Sequence, residues 1–141
     1  MLECLILGDS IAVGIEMVRK ECVSYSTGGL NSWQWNRKYA DKSLGPSTAA
    51  IISLGTNDHS GINTRRELEN MRARVQAHKV YWILPHDNLY PRGAVHISEI
   101  QRAVREVAET HGDVVIKTNR YSPDGIHPSW AGYRDLANKT R

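Results

Sequence analysis

Short apolar runs, separated by polar segments that carry glycine, set the tightest limit on how this chain can fold. Residues 2–7, 23–26, 49–54, 80–84 and 114–117 each read as one strand. The run at 49–54 is apolar at nearly every position, as a central parallel strand covered on both faces must be. Helical spacing fills the intervals at 11–20, 32–41 and 64–78, in a stripe of Ile97, Ile100, Val104 and Val107, and at 129–138. Asn31 is placed to cap the second of these helices. Thr64 and Glu67 have capping-box spacing ahead of Leu68, Met71 and Val75. Such alternation predicts a three-layer α/β/α sandwich with a five-stranded parallel sheet and right-handed crossovers. The flavodoxin-like strand order 2-1-3-4-5 is the expectation.

A length of 141 residues suits a single domain spanning 1–141, and roughly 68–70% of the unfolded surface can be buried at that size. The net charge of +3 hints at an anionic partner. Its carriers are scattered, however. Arg65, Arg66, Arg72 and Arg74 share one predicted helix with Glu67 and Glu69, which reads as a solvated face. Without a basic stripe and interleaved aromatics, nucleic acid is not an expected partner. No apolar run approaches the length of a membrane span. Glu3 and Cys4 follow the first residue at once, so the start reads as structure rather than as a leader. The expectation is a cytoplasmic protein, or one riding on a larger particle such as a virion. Cys4 and Cys22 fall at the starts of neighbouring strands, where a bridge is conceivable but buried free thiols are expected.

Three motifs follow apolar runs directly: Gly8-Asp9-Ser10, Gly28-Gly29 and Gly55-Thr56-Asn57-Asp58. They therefore lie at carboxyl ends of strands, where open α/β sheets build their sites. A fourth, Asp124-Gly125-Ile126-His127, precedes the last helix. Ser10 at a strand-to-helix turn is a candidate nucleophile, though a serine there can equally be a helix cap with Asp9 as a turn residue. His127 is the natural base, and Asp124 stands three residues earlier to orient it. Read alone, the pair is also a turn aspartate and a surface histidine. Asn57 and Gly29 can donate to an oxyanion, or can be ordinary loop formers. Their conjunction, each on the right loop, favours chemistry.

In these four blocks the chain resembles the SGNH hydrolases, the GDSL-type esterase and lipase superfamily, from Gly8 to the last helix. Ile11 stands where leucine is usual. The second block is matched through Gly29-Leu30-Asn31-Ser32. The resemblance implies Ser10 as nucleophile, His127 as base, Asp124 as its partner, and an oxyanion hole from Ser10, Gly29 and Asn57. It also implies no metal and no organic cofactor.

The expected substrate is a small-molecule or carbohydrate ester, such as an O-acetyl group on a sugar, because so compact a chain leaves no room for a lid domain. Trp33, His59, His86 and Tyr90 lie on loops flanking the expected site and are candidate substrate contacts. Core packing competes for Trp33, Trp35 and Trp130, and Trp82 inside a strand reads as core. His78, His96 and His111 read as helix-surface residues. Two other activities suit the same site, thioesterase and acyltransferase. A catalytically silent binding module is the alternative from another class. A nucleotide-binding flavodoxin-like protein fits less well, since the first loop lacks a glycine-rich phosphate cradle.

Overall fold

The computed structural model describes residues 1–86 and 96–141. Strands β1 (Leu2–Gly8), β2 (Val23–Ser26), β3 (Ser47–Ser53), β4 (Ala77–Ile83) and β5 (Val114–Ile116) form one parallel sheet in the order 2-1-3-4-5. Helices α1 (Ser10–Val18), α2 (Ser32–Lys38), α3 (Thr64–Arg74), α4 (Ile97–His111) and α5 (Trp130–Lys139) cover it. α1 packs with α5, while α2, α3 and α4 pack in succession.

The two cores follow from strand alternation. Leu5, Leu7, Ala50, Ile52, Val80 and Trp82 face Trp35, Leu68, Met71 and Val104. Ile6, Ile51, Tyr81 and Ile83 point the other way, onto Ile11, Ile15 and Leu136. Each central strand is thus buried on both faces, which is why its sequence shows no polar alternation. Trp35 and Trp82 are core residues, whereas Trp33 and Trp130 are exposed. Among the described residues no helix is long and apolar enough to cross a membrane.

Several local expectations are corrected. Cys4 and Cys22 are joined in a disulfide rather than left as free thiols, because parallel pairing of β1 and β2 brings their Cα atoms to 4.7 Å. A disulfide persists where surroundings are oxidising, so the bridge gives the cytoplasmic expectation no support. Asn63, not Thr64, caps α3 by accepting from the Arg66 N–H. Thr64 is diverted to Asp58. α3 also ends at Arg74, and His78 is an exposed residue of β4.

The arginine-rich face of α3 is not simply solvated. Arg72 makes a two-pronged, largely buried pair with Asp113, which also accepts from Trp82 Nε1. Arg74 donates to the carbonyls of Tyr39 and Lys42. Glu67 is buried and accepts from Asn36 and Arg37. These cations tie neighbouring elements together, a use that helical spacing cannot reveal. Arg19 does the same elsewhere: buried at the end of α1, it donates to the Ala137 and Thr140 carbonyls that end α5.

Candidate active site

The site stands at the carboxyl ends of β1 and β3. Gly8 ends β1 with φ of 147°, and a Cβ there would lie 1.9 Å from the Ser53 carbonyl oxygen. Only glycine lets β1 cross so close to β3 and turn into α1. Asp9 then caps α1, its Oδ1 accepting from the Ile11 N–H and the Ser53 hydroxyl, both at 3.0 Å. Asp9, not Ser10, is therefore the cap, and the Ser10 hydroxyl is left for other work.

That hydroxyl lies 2.9 Å from His127 Nε2, across 117 residues of chain. His127 Nδ1 lies 2.7 Å from Asp124 Oδ2. The other Asp124 oxygen accepts from the Ser122 hydroxyl and the backbone N–H groups of Ile126 and His127. The bond from His127, followed by those backbone donors, holds the Asp124 carboxyl well below the usual range, so it stays ionised. A carboxylate at Nδ1 selects the tautomer protonated there. Nε2 is then the acceptor, and Ser10 donates to it. The loop is braced as a unit: Tyr121 bridges Pro128, and the Ser122 N–H reaches the His127 carbonyl. The arrangement can pass a proton from Ser10 to His127 and balance the resulting imidazolium.

On the opposite side stand the loops after β2 and β3. The Thr27 N–H donates to the Gly8 carbonyl and draws the second loop against the end of β1. A Cβ on Gly28 would lie 3.7 Å from Ser10 Cβ, while Gly29 takes φ of 81° with open space around it. Asn57 Nδ2 donates one hydrogen to the Leu30 carbonyl at 3.1 Å, which joins the two loops and leaves the second hydrogen of the amide.

Asp58 closes the third motif, and its local sequence points to no task for it. It is fully buried and accepts from the Ser32 N–H, the Ser32 hydroxyl and the Thr64 hydroxyl. The signal was available only in part: a buried carboxylate needs donors, but nothing in the sequence says which. Asp9 is likewise more than a turn residue. It has no exposure, Oδ2 has no hydrogen-bond partner among the described residues, and burial pushes its carboxyl up to about 7.

Trp33 and His59 meet across a cleft of about 330 Å³ beside the Gly29 and Asn57 loops. Trp33 is exposed, with the Arg37 guanidinium 4.3 Å over its ring. His86 packs edge-on against Tyr121, centroids 3.8 Å apart. Tyr90 lies outside the described residues. No cluster of three or more metal-ligating side chains occurs among the described residues.

A parallel 2-1-3-4-5 sheet with these four loops at one edge defines the fold of the SGNH hydrolase superfamily. A family model for the GDSL-like Lipase/Acylhydrolase family matches residues 6–134, and the chain belongs to that family. Solved structures agree on the fold. A putative acylhydrolase from Bacteroides fragilis is 19% identical, with a TM-score of 0.70 over 97% of this chain and 83% of that one. A GDSL-like lipase from Bacteroides thetaiotaomicron is 16% identical, with a TM-score of 0.72 over 97% and 84%. The C-terminal catalytic domain of peptidoglycan O-acetyltransferase A from Streptococcus pneumoniae is 15% identical, with a TM-score of 0.68 over 98% and 91%. No curated protein sequence matches the chain significantly.

Proposed function

We propose that this protein is a serine esterase that hydrolyses small carboxylic esters, O-acetyl groups on carbohydrate in particular, through an acyl-Ser10 intermediate. The observation that carries this reading is the unbroken relay from Ser10 through His127 to Asp124, with contacts of 2.9 and 2.7 Å. As the Ser10 oxygen attacks the ester carbonyl, its proton passes to His127 Nε2. The carbonyl oxygen becomes an oxyanion facing the N–H groups of Ser10 and Gly29 and the remaining N–H of Asn57. The C–O bond to the alcohol then breaks, and His127 returns the proton to the departing oxygen. Water, deprotonated by His127, attacks the acyl-serine and releases the acid.

Hydrolysis is favoured over acyl transfer because the His127 side chain is 42% exposed and Asp124 46%, which gives water a direct path to the base. Carbohydrate is favoured by the exposed aromatic rings that flank the relay loops, and Trp33, His59, His86 and Tyr90 are proposed as further substrate contacts. The Streptococcus neighbour, the catalytic domain of a peptidoglycan O-acetyltransferase, supports acetyl transfer to a sugar acceptor as the second reading.

Labelling with a fluorophosphonate followed by peptide mapping tests the nucleophile. An adduct on Ser10, absent from Ser10→Ala, is expected. Labelling elsewhere, or none alongside no turnover of acetyl esters, would leave only a binding module. Product analysis with acetylated sugars, with and without a free sugar acceptor, separates hydrolysis from transfer.

A further inference from the structure

Trp130 opens α5 three residues beyond His127 and is 57% exposed. With Tyr121, Pro123, Pro128 and Tyr133 it lines a cleft of about 330 Å³. The Trp130 and Tyr133 rings are 6.1 Å apart and tilted by 60°. The cleft walls are thus the two flanks of the loop that carries Asp124 and His127. One of these lining residues, Tyr133, packs against α1. A Cβ on Gly14 would lie 2.2 Å from Cε1 and Cζ of Tyr133, so this ring rests where α1 has no side chain. Gly14 lies one helical turn beyond Ser10 on the same face, about 6 Å along the axis. The aromatic surface therefore begins within one turn of the hydroxyl that contacts His127.

Stereochemistry assigns the two sides of the site. In a tetrahedral adduct on Ser10 the oxyanion faces the Gly29 and Asn57 loops. The departing oxygen must face His127, which protonates it. The alcohol half of the ester consequently extends over the His127 loop, toward Trp130, and away from the Trp33 cleft.

We propose that the Trp130 cleft is the subsite for the alcohol half of the substrate, and that its occupant is a pyranose ring stacked on Trp130. This assignment rests on the reading of Ser10 as nucleophile. A pyranose presents flat C–H faces edged by hydroxyls. The cleft offers aromatic and proline faces edged by Ser122 and Ser129, with Ser129 Oγ accepting from the Gly132 N–H and keeping its own hydrogen to donate. A pocket of about 330 Å³ is of a size to take a single ring.

The test compares O-acetylated methyl hexopyranosides with vinyl acetate, whose leaving group has no ring. In Trp130→Ala the ratio of kcat/KM for the sugar ester to that for vinyl acetate is expected to fall about tenfold, carried by KM, and Trp130→Phe to restore most of it. An unchanged ratio, or an equal loss on both esters, overturns the proposal. Calorimetric titration of a chito-oligosaccharide into Ser10→Ala, with and without Trp130→Ala, reads the subsite without turnover. Binding that depends on Trp130 in a protein inactive on every ester keeps the subsite and sinks the esterase. Turnover of vinyl acetate with no sugar preference does the reverse. Absence of saccharide binding in both proteins also overturns it.

Discussion

Ser32 gives both its backbone N–H and its hydroxyl to Asp58, at 2.8 and 2.6 Å, from 26 residues away. Thr64 donates to the same carboxylate at 2.7 Å, so one buried anion clamps the starts of α2 and α3 to the loop after β3. Gly29 and Asn57 stand on the two loops joined in this way. The spacing of the proposed oxyanion donors thus depends on a residue that touches no substrate.

Replacing Asp58 with alanine strands three buried donors. A loss of about 3 kcal/mol in urea unfolding is expected, on the scale of hydrogen bonds to a charged group. Activity per folded molecule should also fall, because the two loops lose their common anchor. An unaltered stability would show that solvent replaces the clamp.

Asn57→Ala should reduce kcat by roughly 10²–10³ on an activated acetyl ester, the usual scale for one oxyanion donor. KM should move far less. A reduction below tenfold would remove Asn57 from that role.

Asp9 carries a pH prediction. Its carboxyl is raised from 3.8 to about 7 by desolvation, against the bond from Ser53 and the backbone donors of α1. The folded protein therefore keeps this proton where the unfolded chain has lost it. The contribution is fully present below about pH 4, declines between 4 and 7, and is flat above. Asp9→Asn keeps an acceptor for Ile11 and Ser53 but never ionises. Relative to wild type it should gain about 2 to 3 kcal/mol between pH 5 and pH 8, read from urea midpoints. A constant difference across that range would refute the shift.

Removing the disulfide as Cys4→Ser with Cys22→Ser should cost about 3 kcal/mol, as expected for closing a loop of 18 residues. Unfolding of the wild type with dithiothreitol should reproduce that loss. Identical midpoints with and without reductant would mean that the bridge is not formed.

Asp113→Ala should destabilise by about 3 kcal/mol or more, since it leaves the Arg72 guanidinium and Trp82 Nε1 buried without their acceptor. Ester turnover per folded molecule should survive, because Asp113, Arg72 and Trp82 take no part in the proposed relay. Loss of turnover at full stability would point to an unrecognised coupling.

The strands, their order and the positions of Ser10, Asn57, Asp124 and His127 were legible in the sequence, and for one reason. Period, apolar runs and strand-end motifs are local, and a parallel sheet converts strand ends into a single edge. Where the sequence misled, a distant partner decided. Thr64 abandoned its cap for Asp58, Arg72 left a solvent face for Asp113, and Cys4 met Cys22 once β1 and β2 paired. Which tryptophans are buried followed the same pattern: Trp35 fills the core while Trp33, two residues earlier, faces solvent. Sequence alone determined which groups can do chemistry and at which strand end each arrives. Only the tertiary structure decided which donors a buried charge finds, because that depends on contacts between segments that carry no trace of one another in their own residues.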